Sequence, residues 1–161
     1  MTAREKIIKE YNSSFKIKWF FFKSLPSLWF WRVKIKNIDA QSCKATVPYG
    51  WRTKNPFNSI YFATQAGTAE ISTGALCQAV LAGRGKWSMY VVHFEAEYFA
   101  TAKGLTTFTC NDGDKVNDLI DQLEQSGEAG KIVMISDGTD KDGKLMSRFK
   151  ITWSFKKKSK Q

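Results

Sequence analysis

The chain has 161 residues, of which 43% are hydrophobic, 14% aromatic and 25% charged. This composition is typical of one globular domain, and it excludes a mainly disordered chain and a collagen-like chain. The three cysteines, Cys43, Cys77 and Cys110, lie far apart and form no C-x-x-C pair. They argue against a zinc ribbon or a disulfide framework, and they are typical of reduced thiols in a cytoplasmic protein.

The net charge of +10 is concentrated at the two ends of the chain. Residues 1–36 carry nine Lys/Arg and two Glu, residues 141–161 carry eight Lys/Arg and one Asp, and the middle is acidic. Basic ends suit a nucleic acid, a membrane surface or a polyanionic cofactor. Because the middle is acidic and no nucleic-acid-binding motif is present, we expect no nucleic-acid partner. Residues 156–161 are interpreted as a solvated basic tail.

The N-terminal region predicts a helix over residues 3–23, broken by Pro26, and a helical turn over 26–31. Its aromatic stretch, 19–31, is too short to span a bilayer and contains Lys23 and Pro26, so we expect no stable membrane insertion. Aromatic side chains beside lysines are also compatible with a membrane interface. The favoured interpretation is that they cover a sheet edge or a partner subunit.

The next part of the chain predicts two strands, 32–38 and 43–47, and then a turn-rich loop over 48–58. Ser59 is a candidate N-cap for a helix that ends near Leu81. Between Asn55 and Gly83 the single charged residue is Glu70, which indicates a helix that is buried on all sides.

The remainder predicts four strands, over 87–101, 104–111, 130–137 and 144–155. It also predicts a solvated surface helix over 114–125, between the second and third of these strands. The order of elements favours an α+β domain in which an antiparallel sheet wraps around one long central helix. We therefore divide the chain into an N-terminal helical extension (1–31), the sheet domain (32–155) and the basic tail (156–161). Such a sheet leaves an open edge, which predicts a homodimer or a dimer of dimers.

Residues Asn55 to Glu70 resemble the loop-and-helix signature of hotdog-fold acyl-CoA thioesterases, most closely the group around the phenylacetate-pathway enzyme. The resemblance covers roughly residues 32–155. The family signature is Asn-x-x-Gly-x-x-His-Gly-Gly, followed seven residues later by a carboxylate on the helix. The positions that match it, in order, are Asn55, Asn58, Tyr61, Phe62, Ala63 and Glu70.

The resemblance implies hydrolysis of an acyl thioester such as acyl-CoA, with no metal or cofactor. It gives Glu70 the role of general base or nucleophile, and it gives the Phe62 N–H the role of hydrogen-bond donor to the thioester oxygen. Tyr61-Phe62-Ala63 replaces His-Gly-Gly, although every residue retains that backbone N–H. The lost glycines favour the alternative, a hotdog protein that binds an acyl or aromatic ligand without turnover.

The expected surroundings of Glu70 on its helix support the same site independently of the resemblance. The residues three and four positions away are Ala66, Gly67, Thr73 and Gly74, and their small side chains predict a hollow at the carboxylate. Burial would raise the pKa of Glu70 and make it a usable base near neutral pH. The alternative is a structural Glu70 bonded to the backbone of a neighbouring strand.

Further residues complete the predicted site. Asn55 is expected to fix the loop or to orient a water. The alternative is that Asn55 and Asn58 are both turn residues without a functional role. Arg84 and Lys86, or alternatively the lysine-rich tail, are expected to meet the phosphates of coenzyme A. The positions assigned to substrate binding are Asn58, Tyr61, Ala63, Thr73, Arg84 and Lys86.

Overall fold

The computed structural model describes residues 1–158, which form five helices and six strands. The helices are α1 (Ala3–Tyr11), α2 (Ser14–Ser24), α3 (Pro26–Phe30), α4 (Phe62–Leu81) and α5 (Gly113–Ser126). The strands are β1 (Lys34–Ile38), β2 (Cys43–Val47), β3 (Trp87–Tyr98), β4 (Thr106–Cys110), β5 (Gly130–Thr139) and β6 (Leu145–Lys157).

The six strands form one antiparallel sheet in the order β1-β2-β4-β5-β6-β3. β1 and β3 are therefore the two edges. β3 is the longer edge strand, with 12 residues, and it pairs with β6 along nearly its whole length. The predicted α+β arrangement of an antiparallel sheet around a central helix is confirmed.

Helix α4 lies against this sheet and forms the centre of the core. Thirteen of its 20 residues are buried, which agrees with its nearly uncharged sequence. Large buried side chains of the sheet, among them Phe108, Phe149 and Phe155, belong to the same core. The Ser72 and Ser136 hydroxyls lie 2.8 Å apart and satisfy each other inside it. Helix α5 buries Val116, Ile120 and Leu123 and exposes its charged face, as predicted.

The predicted helix over 3–23 is wrong in one respect, because it is interrupted at Asn12 and Ser13. The Asn12 side chain donates to the Ile38 carbonyl oxygen (2.8 Å) and accepts from the Ile38 N–H (3.0 Å). It therefore pairs with the edge strand β1 as another strand would. Ser13 then caps α2 by accepting from the Lys16 N–H. A hydrogen bond to a residue 26 positions away leaves no periodic signal in the sequence.

The start of α4 also differs from the prediction. The helix begins at Phe62, with Tyr61 at the N-cap position and no side-chain capping bond. Ser59 instead forms hydrogen bonds with Asn55 in the preceding turn. The turn chemistry of Asn55-Pro56 thus engages the hydroxyl that would otherwise cap the helix.

The N-terminal helices are part of the same core as the sheet. Tyr11, Ile17, Phe21 and Leu28 are buried in it. The predicted boundary at residue 31 therefore does not separate two hydrophobic cores, because residues on both sides of it belong to the same core. Among residues 1–158, no helix is both long enough and apolar enough to cross a membrane.

The C-terminal strand continues further than predicted. Lys156 and Lys157 belong to β6, and the Lys157 ammonium lies 2.7 Å from Glu124 of α5. These two lysines are therefore strand residues and not part of a solvated tail. The rest of the predicted tail includes Lys160, which lies outside the described residues.

Candidate active site

A cavity of about 620 Å³ opens at the N-terminal end of α4. The turn before the helix supplies Asn55, Tyr61 and Phe62 to its lining, and the end of β3 with the loop after it supplies residues 98–102. The cavity thus lies between the beginning of the central helix and the end of an edge strand. It is a suitable place for a small ligand or for one end of a larger one.

The first turn of α4 presents unpaired backbone donors at this cavity. Within residues 1–158, the N–H groups of Phe62 and Ala63 have no acceptor, whereas those of Thr64 and Gln65 donate to the Tyr61 carbonyl oxygen. The positive end of the helix dipole lies at the same place. Free N–H groups at a helix N-terminus stabilise an anion or an oxygen on which negative charge develops.

The turn that carries these donors is held by Asn55. Its amide oxygen accepts from the N–H groups of Phe57 (2.9 Å) and Ser59 (3.1 Å), and its amide nitrogen lies 2.8 Å from the Ser59 hydroxyl. Asn58 has a left-handed backbone with φ of 57°, a conformation that asparagine tolerates better than most residues. Both asparagines therefore shape the turn, and Asn55 fixes the position of the first turn of α4.

Glu70 lies further along α4 and is largely buried. Burial raises its pKa to about 7, which is the predicted direction. Within residues 1–158, no group donates a hydrogen bond to its carboxylate and no cation pairs with it. The alternative, in which Glu70 is a structural residue hydrogen-bonded to a neighbouring strand, is therefore not supported by any hydrogen bond within residues 1–158. A carboxylate with these properties is a usable base near neutral pH.

The predicted hollow beside Glu70 is wrong, because two tryptophans fill it. A Cβ at Gly67 would lie 3.0 Å from the Trp31 ring, and a Cβ at Gly74 would lie 3.2 Å from the Trp153 ring. The small residues around Glu70 therefore allow two rings to pack closely on α4: that of Trp31, which follows α3, and that of Trp153, which lies in β6. The Trp153 ring and the Glu70 carboxylate both approach Gly74, so this ring contributes to the burial that raises the pKa of Glu70.

Phe62 and Glu70 are separated by eight residues of one helix, about 12 Å along its axis. A donor and a base that act on the same carbonyl must both lie within about 3 Å of the reacting atoms. The first turn and the Glu70 carboxylate of one chain are therefore too far apart to serve one thioester together.

The remaining predicted residues are not all brought to the cavity. Tyr61 lines it, and its ring packs against that of Phe62 at 4.8 Å. Ala63 is the second residue of α4, beside the free donors. The Thr73 hydroxyl lies on the same helix as Glu70, donates to the Glu70 carbonyl oxygen (2.8 Å) and accepts from Trp153 Nε1 (2.9 Å). Its hydrogen-bonding capacity is used by the fold.

Arg84 and Lys86 lie at the other end of α4, away from the cavity of their own chain. The Arg84 guanidinium binds Asp121, Glu124 and Asn117, so it ties the end of α4 to α5. Lys86 immediately precedes β3, and its carbonyl oxygen accepts from the Lys158 N–H (2.9 Å). Arg84 therefore has a structural role in addition to any contact with phosphates.

Two parts of the cavity were not predicted from the sequence. Gln65, to which the sequence assigned no part in the site, lines the cavity, donates to the Ile60 carbonyl oxygen and accepts from the Ser147 hydroxyl. The segment 98–102 was expected only to be the end of a strand, and nothing in its composition marks it as a cavity wall. Among residues 1–158, no group of three or more His, Cys, Asp and Glu side chains is placed to hold a metal ion.

Comparison with known proteins agrees with this architecture. The sequence model of a family described as a domain of unknown function, DUF4442, matches residues 14–155. The matched region includes α2 and α3 together with the sheet domain. No curated protein matches the sequence.

Several solved structures share the fold at low sequence identity. A protein of unknown function from Chlorobaculum tepidum superposes with a TM-score of 0.75 at 17% identity, over 90% of this chain and 94% of the other. A probable thioesterase from Pseudomonas aeruginosa gives 0.72 at 13% identity, over 88% and 95%. A thioesterase from Haemophilus influenzae gives 0.64 at 14% identity, over 89% and 90%. The chain therefore has the hotdog fold of these thioesterases.

Proposed function

The chain belongs to the DUF4442 family, and we propose that it is a thioesterase that hydrolyses an acyl thioester, with acyl-CoA as the substrate class. The observation that carries the proposal is that α4 provides both free N–H donors at a cavity and, further along the helix, a buried carboxylate whose pKa is raised to about 7. The structural likeness to named thioesterases agrees with it.

The thioester carbonyl binds at the first turn of α4. Its oxygen accepts from the Phe62 N–H, with the Ala63 N–H as a second donor, and the helix dipole stabilises the oxyanion of the tetrahedral intermediate. The acyl group occupies the cavity beside Tyr61 and the end of β3. The replacement of two glycines by Phe62 and Ala63 leaves these donors in place, because they belong to the backbone.

Glu70 supplies the base. In its ionised form it removes a proton from water as the water oxygen attacks the carbonyl carbon, and the thiolate leaves with that proton or another from solvent. Direct attack by the carboxylate, with an acyl-enzyme anhydride as intermediate, uses the same residue. Both routes need the ionised carboxylate, so turnover depends on the raised pKa of Glu70.

A homodimer formed along β3 resolves the separation of about 12 Å between these groups. The side chains of Phe94 and Tyr98 lie on the face of β3 that packs on the buried Phe149, yet they stay substantially exposed at the sheet edge. A second copy paired with this edge would cover them. We propose that each site combines the first turn of α4 from one chain with Glu70 of the partner subunit.

The same pairing gives Lys86 its predicted role. Lys86 precedes β3, and the cavity lies at the other end of that strand. Two antiparallel β3 strands would bring Lys86 of the partner subunit toward the cavity mouth, where a coenzyme A phosphate would neutralise its charge.

The test is an acyl-CoA panel with free-thiol detection, run on the wild type and on Glu70→Gln. The amide preserves volume and removes the basicity, so turnover should fall about 100-fold or more while ligand affinity changes little. Undiminished turnover in a folded Glu70→Gln protein contradicts the assignment. Thr73→Ser, which keeps the hydroxyl on the same helix face, is the matched control.

The proposed sharing of the site between subunits has its own test. Glu70→Gln chains and Phe62→Pro chains are unfolded together and refolded. If each site takes its donor from one chain and its base from the other, about a quarter of wild-type turnover returns through mixed dimers. If a proven mixed dimer recovers no turnover, the donor and the base of each site come from the same chain, and the proposed sharing is wrong.

The second candidate function is a binding protein without turnover. It is favoured by the exposed Phe62 ring, which packs on Tyr61 at the cavity where the resembling enzymes have glycine. This function would be established if calorimetry showed that the protein binds an acyl-CoA, if no member of the panel were hydrolysed, and if Glu70→Gln left the affinity unchanged.

A further inference from the structure

The outer surface of α2 and α3 carries large apolar side chains that remain exposed in the described part of the chain, residues 1–158. Four of them form a row that we call the aromatic ridge: Phe15 (80% exposed), Trp19 (61%), Phe22 (51%) and Trp29 (43%). Phe15, Trp19 and Phe22 are spaced by four and three residues on α2, so they share one helix face. The opposite face of α2 buries Ile17 and Phe21 in the core.

Three of the four rings of the ridge pack on one another. Trp19 stacks on Phe22 with centroids 5.8 Å apart, and Phe22 meets Trp29 edge-on at 5.3 Å. The result is a continuous apolar projection and not a set of scattered surface residues. A projection of this kind marks an interaction site.

A cavity of about 360 Å³ lies directly beside the ridge, with Trp29 as a shared wall. Four cationic side chains line it: Lys18, Arg32, Lys34 and Arg52. We call it the basic groove. Among residues 1–158, none of the four has a carboxylate within 4.0 Å, and no acidic residue lines the groove. Arg52 also lies 5.2 Å from the Phe30 ring, which holds it at this surface.

The backbone at the groove supports a functional role. Arg32 has a φ of 60°, in the left-handed region that favours glycine at the end of a helix. The chain keeps a cation there at the cost of backbone strain. Strained residues that persist are commonly found at binding sites.

From these observations we propose that the aromatic ridge and the basic groove form a docking surface for an anionic phospholipid bilayer. The rings enter the interfacial region, where tryptophan and phenylalanine are favoured, and the four cations bind lipid phosphates at the same depth. The surface adjoins β1, which is five strands away from β3 in the sheet, so docking and pairing along β3 use different edges. This proposal does not depend on the proposed thioesterase activity.

Two other occupants fit the surface less well. A single-stranded nucleic acid needs exposed ring faces on which bases stack, and here the faces of Trp19 and Phe22 pack on each other. A second copy of the chain would bring four cations onto four cations if it docked symmetrically. An anionic bilayer satisfies both the apolar projection and the uncompensated positive charge.

The experiment is vesicle co-sedimentation of the full chain. Vesicles of phosphatidylcholine alone are compared with vesicles containing about a third phosphatidylglycerol. We expect binding to the anionic vesicles at least about tenfold stronger than to the neutral ones, weakening as salt rises. Equal binding to both vesicles, or binding to neither, overturns the proposal.

Variants separate the two parts of the surface. Trp19→Ser should weaken binding to anionic vesicles about tenfold or more, and Lys18→Glu should weaken it while reducing its salt dependence. The matched controls are Leu105→Ser and Lys141→Glu, which change an exposed apolar and an exposed basic side chain elsewhere. Controls that weaken binding as much as the ridge variants contradict the assignment.

The other occupants are outcomes of the same work. A wild type that binds single-stranded RNA and ignores vesicles shows a nucleic-acid surface, and a Trp19→Ser protein that loses its oligomeric state in light scattering shows a surface for a second copy. Either result overturns the proposal. Thioester hydrolysis without vesicles should be equal in Trp19→Ser and the wild type, so a failure here is distinct from a failure of the proposed function.

Discussion

The first and third turns of α4 contribute to the candidate site in different ways. At the first turn, Phe62 and Ala63 offer backbone N–H groups to an open cavity. At the third turn, Glu70 offers a largely buried side chain whose carboxylate approaches Gly74 together with the Trp153 ring. The first contribution survives almost any substitution, whereas the second depends on one residue and on rings supplied by distant parts of the chain.

Under the proposed function, this difference accounts for a sequence that departs from the resembling thioesterase signature at one turn and keeps it at the other. A backbone donor tolerates Phe62 where that signature has glycine, because only the N–H is needed. A general base cannot be replaced so freely, since no backbone group has its chemistry. The following predictions test this contrast in order of decreasing effect.

The largest effect is expected for Phe62→Pro, which removes one N–H together with the exposed Phe62 ring. Phe62 is the first residue of α4, where proline is favoured, and Tyr61 already has a φ of −58° and a ψ of 137°, as a residue before proline requires. Turnover should fall about 100- to 1,000-fold, the usual cost of a lost oxyanion donor. Phe62→Ala keeps the N–H and should retain turnover; an equal loss in both variants would assign the effect to the side chain.

The next largest effect concerns pH and stability at Glu70. Its folded-state pKa of about 7 is above its ordinary value of 4.5, so the folded protein holds a proton that the unfolded chain releases between these pH values. The free energy of unfolding should therefore decrease as pH rises from about 4.5 to about 7, by on the order of 3 kcal/mol. Urea unfolding across this range measures it.

Glu70→Gln is the control for that measurement, because an amide does not titrate. Its stability should lack this dependence and should exceed that of the wild type at pH 8. Parallel pH profiles for the two proteins would mean that Glu70 is not shielded. Turnover of the wild type should rise with pH through about 7, as the base ionises.

A smaller effect is expected for Trp31→Ala, which opens the packing at Gly67. The lost ring contacts should lower the free energy of unfolding by about 2 kcal/mol. If the Trp31 ring also shields Glu70, which lies one turn further along the same helix, water that enters should lower the pKa of Glu70 and move the acidic limb of the pH–rate profile below 7. Trp29→Ala, on the exposed side of α3, is the matched control, and an equal shift in that protein would rule out shielding by Trp31.

The smallest effect is expected for Asn55→Ala, which removes the side-chain bonds that hold the turn before α4. The free energy of unfolding should decrease by about 1 kcal/mol. If Asn55 only positions the first turn, KM should rise more than kcat falls. A fall in kcat as large as that of Phe62→Pro would instead place Asn55 in direct contact with the reacting atoms.

The local pattern of the chain was sufficient for most of the architecture. An almost uncharged stretch around Glu70 indicated a buried helix, and alternating strands indicated a sheet with an open edge. The sequence also placed Asn55, Tyr61 and Phe62 at the start of that helix, where they line the cavity. These features depend on periodicity and composition, which are properties of neighbouring residues and are therefore visible in a sequence.

Only the tertiary structure decided what surrounds the site. The rings of Trp31 and Trp153 fill the predicted hollow, although they stand 36 positions before and 79 positions after Gly67 and Gly74 respectively. Asn12 breaks the first helix by bonding to Ile38, and residues 98–102 form a wall of the cavity. Periodicity records that a side chain is buried, but it does not record which distant group meets it, because that choice depends on how the whole chain packs.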